Sequence, residues 1–322
     1  MYLVFDVGGT FIKYAWMSGK AEIIEKGKVP SGNPETTTVE SFIDTLVSIY
    51  SQYKEKGEID GIALSLPGLI DSDNGYIRNG GALKYLKNVE FVKLLSARCD
   101  NIHISIENDA NCAALAEVWK GNAKDCKNAA LVILGTGIGG AVVIDRHVYH
   151  GNHLSAGEFS FIFSENLKRS DLDRIQSLDK INDLEEEYEK LPFLWATTFS
   201  TRAMVFQVCK AKGLNPKEYN GEDVYRWAQD NDPIAIEILE DFYFAIAKYL
   251  FGIAATMDPD VVLLGGGISA NPALLEGVMR YVNKMRVMSE VNGFLKVDVC
   301  KFHNDSNLIG ALYNFLQRYE NK

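Results

Sequence analysis

The chain has 322 residues, enough for about two domains. Hydrophobic residues make up 47% and charged residues 24%, which is the balance of a globular protein with a full core. The net charge of −10 argues against a duplex nucleic-acid surface, which needs a basic patch. It is no bar to a phosphate ligand, because backbone N–H groups hold anions even in acidic proteins. No secretory signal opens the chain, and the longest apolar helical run, residues 242–257, is broken by Lys248 and Gly252, so no membrane span is expected. Cys99, Cys112, Cys126, Cys209 and Cys300 are scattered and odd in number, with no C-x-x-C, so a cytoplasmic protein without a disulfide frame is expected.

Residues 1–17 read as a hairpin around Asp6-Val7-Gly8-Gly9-Thr10. Residues 38–54 carry Phe42, Leu46, Ile49 and Tyr50 at helical spacing. Residues 61–66 form a buried strand that ends at Pro67-Gly68, and residues 101–106 another that ends at Glu107-Asn108-Asp109. Residues 112–119 then repeat apolar side chains at helical spacing, and Gly121 stops them. A second glycine turn, Gly135-Thr136-Gly137-Ile138-Gly139-Gly140, lies between two β-branched runs. Residues 164–190 are charged and read as an exposed, partly helical excursion, whose Lys168, Arg169 and Arg174 are a solvated face. Helical patterns run from about 200 to 257, residues 260–264 are a strand leading to Gly265-Gly266-Gly267, and Asn271-Pro272 starts a helix. Residues 297–300 are a late strand and 307–319 a last helix.

The two glycine turns carry the chemistry. Glycine lets a backbone approach a ligand closely, and successive N–H groups in such a turn make a concave anion site. A hydroxyl stands in each, Thr10 and Thr136. Two such hairpins suggest one nucleotide polyphosphate held by two related halves. The second turn also fits G-x-G-x-x-G at Gly135, Gly137 and Gly140, but a dinucleotide site needs a helix next, and a β-branched run follows. A nicotinamide dehydrogenase rests on that pattern alone. Asp109 is the candidate general base, with helix capping as its competing role. Lys13 reads as a solvated strand residue, and His150, His153 and His303 as loop polar groups without metal-ligand spacing.

These residues resemble the ROK family of repressors and sugar kinases. The likeness is carried by residues 6–10, 107–117 and 134–141, by Ala156-Gly157-Glu158-Phe159, and by residues 258–267. It spans residues 4 to about 312 in family order. It implies an α/β, two-domain actin-like ATPase (ribonuclease H-like) fold with an interdomain cleft, residues 1–115 plus 301–322 forming one domain and 116–300 the other. It implies ATP-dependent phosphorylation of a sugar hydroxyl, at C6 of a hexose or of a β-glucoside, with Asp109 as base. Gly68, Asn79, Asn108, Asp109 and Glu158 would bind the sugar. Asp6, Gly8, Gly9, Thr10, Gly135, Thr136, Gly137 and Gly139 would hold the ATP phosphates, Gly266 and Gly267 would admit the adenosine, and Asp6 would orient Mg2+ through water. A homodimer is expected from family habit.

Two departures stand out. The family's zinc cysteines are missing, and Ser160 and Phe161 occupy the places of a glycine and a histidine, so no structural zinc is expected. Phe161 either makes the C1 end of the sugar site apolar, suiting a β-glucoside or disaccharide, or packs where the zinc loop would sit. Repressor members carry a DNA-binding segment before the first glycine hairpin; only five residues precede Asp6 here, so a DNA-binding repressor is not expected. The alternative to a kinase is a non-catalytic sugar sensor of the same fold.

Overall fold

The opening run Tyr2–Val7 is strand β1, and all of it is buried. The computed structural model describes residues 1–33, 35–172, 190–288, 290, 293–302 and 304–320. Most of the charged excursion expected over 164–190, including Arg174, lies outside the described residues, as does His303.

After β1 come β2 (Phe11–Met17), β3 (Ile23–Pro30), α1 (Val39–Lys54), β4 (Gly61–Leu66), β5 (Leu69–Asp71), β6 (Tyr76–Asn79), α2 (Phe91–Ser96), β7 (Ile104–Asn108) and α3 (Asp109–Lys120). The first sheet has the order β3-β2-β1-β4-β7, with β1, β4 and β7 parallel. Continuous apolar runs in β1 and β4 are what a parallel strand covered on both faces requires. Alternation divides them: Leu3, Phe5, Ile62 and Leu64 pack with Phe42, Leu46 and Tyr53 of α1. Tyr2, Val4 and Ala63 pack on the other face with Cys112 and Ala116 of α3. Thr38 caps α1 in a capping box with Ser41.

The strand expected over 101–106 begins later, at Ile104, because Asp100 and Asn101 turn through positive φ before it. The helix expected from Cys112 begins earlier, at Asp109, because Asn108 caps it a turn before the apolar repeat starts.

The chain continues through β8 (Ala129–Leu134), β9 (Ile138–Ile144), β10 (His147–Val148), α4 (Trp195–Phe199), α5 (Thr201–Lys212), α6 (Gly221–Gln229), α7 (Pro233–Met257), β11 (Val261–Gly265), α8 (Pro272–Arg286), β12 (Val297–Val299) and α9 (Ser306–Tyr319). The second sheet has the order β10-β9-β8-β11-β12. A strand, β9, follows the second glycine turn, so the helix that a dinucleotide fingerprint needs is not there. Asp232 caps α7 ahead of Pro233, and Asn271 caps α8 ahead of Pro272. No described helix is long and apolar enough to cross a membrane.

Two compact units emerge. One comprises Met1–Asp125, Val142–Ala156 and Lys301–Lys322, and the other Cys126–Ala141 and Gly157–Cys300. Helix α9 belongs to the first unit, where Leu308, Leu312, Phe315 and Leu316 complete the core beneath α3.

Candidate active site

In the first unit, strand register gathers the acids. Asp6 of β1 stands opposite Ser65 of β4, Ser65 opposite Glu107 of β7, and Leu66 opposite Asn108. These are the carboxyl ends of three parallel strands, where open α/β sheets bind ligands. Burial first, then the charges of Glu107, Asp109 and Asp6, push the Cys112 thiol well above its ordinary value. Asp6, Glu107 and Asp109 thus stand at the same end of this sheet.

The first glycine turn is held from behind. Gly8 N–H donates to Phe11 O at 3.0 Å, Ser31 N–H donates to Thr10 O at 3.0 Å, and the Ser31 hydroxyl donates to Gly8 O. Gly9 and Thr10 are left exposed. Asp6 is buried, with the Lys13 ammonium 3.1 Å from Oδ2 and the Asn307 amide donating to Oδ1 at 2.9 Å. Lys13, expected to be simply solvated, is thus the ion-pair partner of Asp6.

Among the described residues no group of three or more His, Cys, Asp or Glu could hold a metal ion. A carboxylate offers about four lone-pair sites, so Asp6 can accept a metal-bound water besides these two donors. That suits Mg2+ carried chiefly by nucleotide phosphates and water.

Asn108 is the N-cap of α3. Its Oδ1 accepts from Ala110 N at 2.8 Å and Asn111 N at 3.2 Å, and its Nδ2 donates to Gly68 O at 2.9 Å. Asp109 follows as the first helical residue, half-buried, its Oδ1 accepting from Ala110 N at 2.8 Å. Gly68 has φ +96°, and a Cβ there would lie 2.1 Å from Asn79 O, so only glycine fits. Asn79 is exposed, and its Oδ1 accepts from Gly81 N at 2.9 Å. The structure therefore brings Gly68, Asn79, Asn108 and Asp109 together.

In the second unit, Gly135 N–H donates to Gly137 O at 3.0 Å, and Thr136 is exposed at the tip of that turn. Gly266 has φ +92°, and a Cβ there would meet Leu134 O at 2.1 Å, so the second and third glycine turns abut. Beside them opens a cavity of about 550 Å³, lined by Gly135, Gly267, Ile268, Thr201, Gly221 and Tyr225, among others. A Cβ on Gly267 would meet nothing within 4 Å, so that backbone faces open space. Gly139 packs against Ile133. A Cβ on Gly140 would strike the Phe159 ring at 2.3 Å and Gly157 O at 2.6 Å, so the segment carrying Glu158 lies against β9. Burial pushes the Glu158 carboxyl above its ordinary value of 4.5. The Ser160 hydroxyl donates to Ile138 O. Phe161 does not pack inward: it is 67% exposed, and Phe163 beside it is 58% exposed.

Several lining residues were not legible beforehand. Thr201, Asn220, Glu222 and Tyr225 reach the cavity from α5, α6 and the turn between them, where the sequence shows ordinary helix periodicity. His150, expected to be a loop polar group, puts Nε2 2.8 Å from Oε2 of fully buried Glu107. Burial draws its pKa down, but the bond to Glu107 and that charge outweigh it, with Asp73 and Asp71 adding, and the net shift is upward.

A model described as the ROK family matches residues 2–170 and 194–318. A β-glucoside kinase of Listeria innocua is 28% identical over 319 residues, covering 97% of this chain and 96% of that protein. A glucokinase of Halalkalibacterium halodurans is 26% identical over 318 residues, covering 96% and 93%. The crystal structure of a ROK family protein from Streptococcus pneumoniae in complex with sucrose aligns with a TM-score of 0.80 at 28% identity, over 99% of this chain and 100% of that one. The fold is therefore the expected α/β actin-like ATPase fold, and the chain belongs to the ROK family.

Proposed function

We propose that this chain is an ATP-dependent kinase acting on a sugar hydroxyl, at C6 of a hexose or of a β-glucoside, with Asp109 as general base. The observation that carries the reading is the grouping of Asp109, set by the Asn108 cap, with Asp6 and an exposed glycine turn at the ends of parallel strands. Phosphoryl transfer asks little covalent chemistry of a protein; it needs an oriented nucleophile, a base and charge stabilisation. Asp109 accepts the proton of the sugar hydroxyl as that oxygen attacks the γ-phosphorus of ATP, and ADP leaves. Asn108, Asn79, the Gly68 backbone and Glu158 hold the sugar hydroxyls. The Gly8-Gly9-Thr10 and Gly135–Gly139 backbones, with Thr136, grip phosphate oxygens, and the cavity beside Gly266 and Gly267 takes the adenosine. Asp6 would hold Mg2+ through water together with the nucleotide phosphates, and the ion would neutralise charge on the transferring group. A homodimer in the cytoplasm completes the reading.

The relatives include a β-glucoside kinase and a sucrose-bound structure. Exposed Phe161 and Phe163 beside Glu158 suit a second ring or an aglycone better than a lone hexose. We therefore assign a β-glucoside or disaccharide as the preferred acceptor. A coupled ADP-release assay with Mg-ATP across cellobiose, glucose, N-acetylmannosamine and fructose tests this. Turnover favouring cellobiose, with Phe161→Ala raising its KM about tenfold and leaving that for glucose unchanged, is the expected result. Turnover on glucose alone keeps the kinase and removes the glucoside assignment. Sugar binding without ADP release on any sugar makes the chain a sensor.

A further inference from the structure

We propose that His150 is a positioning residue for the base: through Glu107 it sets the Asn108–Asp109 helix start. This rests on the reading of Asp109 as the base. Three donors converge on the fully buried Glu107 carboxylate. Asn108 N–H donates to Oε1 at 2.7 Å and the Asn111 amide donates to Oε1 at 2.9 Å, while His150 Nε2 bonds to Oε2 at 2.8 Å. Two of the three come from the first turn of α3 and its cap, so the carboxylate is the anchor for the backbone that carries Asp109. A buried carboxylate persists only when it is paired and fully hydrogen-bonded. His150 supplies the bond to the second oxygen.

The other end of His150 is engaged as well. Its carbonyl accepts from Ala156 N at 3.2 Å, closing residues 150–156 into a loop whose next residues are Gly157 and Glu158. Gly151 turns through φ +69° inside that loop, and a Cβ on it would lie 3.3 Å from that of Ala156, so the closure is tight. Tyr149 N–H, one residue earlier, donates to Val142 O at 2.8 Å and ties the loop's start to β9. The backbone bond to Ala156 thus fixes the His150 main chain while its ring reaches Glu107 beneath Asn108–Asp109. A misplacement of about 1 Å at a reacting group costs on the order of 100-fold in rate.

The test compares kcat and the KM values for ATP and sugar in His150→Ala, His150→Gln and Asp109→Asn, with melting temperatures alongside. Gln places an N–H donor near the position of Nε2, whereas Ala removes it. His150→Ala should lower kcat by about 10- to 100-fold with the KM for ATP within about twofold, and His150→Gln should restore most of the loss. If the alanine variant fails to fold, His150→Asn replaces it, since its amide is too short to reach Glu107. A wild-type kcat in the truncated variant, or an equal loss in the glutamine variant, overturns the proposal. An inactive Asp109→Asn beside a fully active His150→Ala rejects the positioning role alone, whereas a fully active Asp109→Asn rejects the base and this inference with it.

Discussion

Asp109 shows how little of a side chain's role depends on its own surroundings alone. It could have been the helix cap, but Asn108 takes that position, with two backbone N–H groups on its Oδ1. Asp109 is left at the first helical residue, half-buried and outside the capping position. Asp109→Asn should therefore keep sugar affinity by calorimetry and lose turnover by about 100-fold or more. Near wild-type turnover would remove the assignment. Glu158 gives a second expectation at this scale. Burial raises its pKa in the folded state, so its contribution to stability is whole below the ordinary carboxyl value and is lost as pH rises through the folded one. Glu158→Gln should melt close to wild type in acid and above it at neutral pH. A melting difference independent of pH contradicts this. Both carboxylates are singled out in the chain, but the contact that sets the start of the Asp109 helix is not, because Gly68 and Asn108 are 40 residues apart and meet only when β4 and β7 pair.

Among the elements, α3 and α9 cross in close contact. A Cβ on Gly310 would sit 1.7 Å from Cys112 O, so the two helix backbones touch with no side chain between them. Gly310→Ala must separate α9 from α3, the helix that starts at Asp109. Overpacking of this kind costs about 1–3 kcal/mol, which lowers the melting temperature by roughly 5 °C in a chain of this size. An unchanged melting temperature means that α9 shifts without cost. Elements with long, regular patterns were legible: α1 from its apolar repeat, β1 and β4 from their largely apolar runs, and α8 from Asn271-Pro272. Ends set by backbone turns were less so. Asp100 and Asn101 delay β7 through positive φ, a choice that hydropathy does not register.

At the scale of the whole molecule, the two glycine hairpins belong to separate compact units, each with its own sheet. If both grip one nucleotide, Mg-ATP must stabilise the protein, and at about 100 times its dissociation constant the gain is about 2.7 kcal/mol. The melting temperature should rise with Mg-ATP and stay unmoved by NAD; the reverse pattern would revive the dehydrogenase. What the chain determined by itself is local. Glycines and threonines between two strands mark a tight turn, and an Asn-Asp pair where a strand meets a helix marks a capped helix start, because both signals sit within a few consecutive residues. Tertiary structure decided the rest. The cavity walls from Thr201 to Tyr225, the bond from Asn307 to Asp6 and the bond from His150 to buried Glu107 join residues far apart in the chain. Such pairings depend on which strand lies beside which, and a sequence read residue by residue carries no record of that.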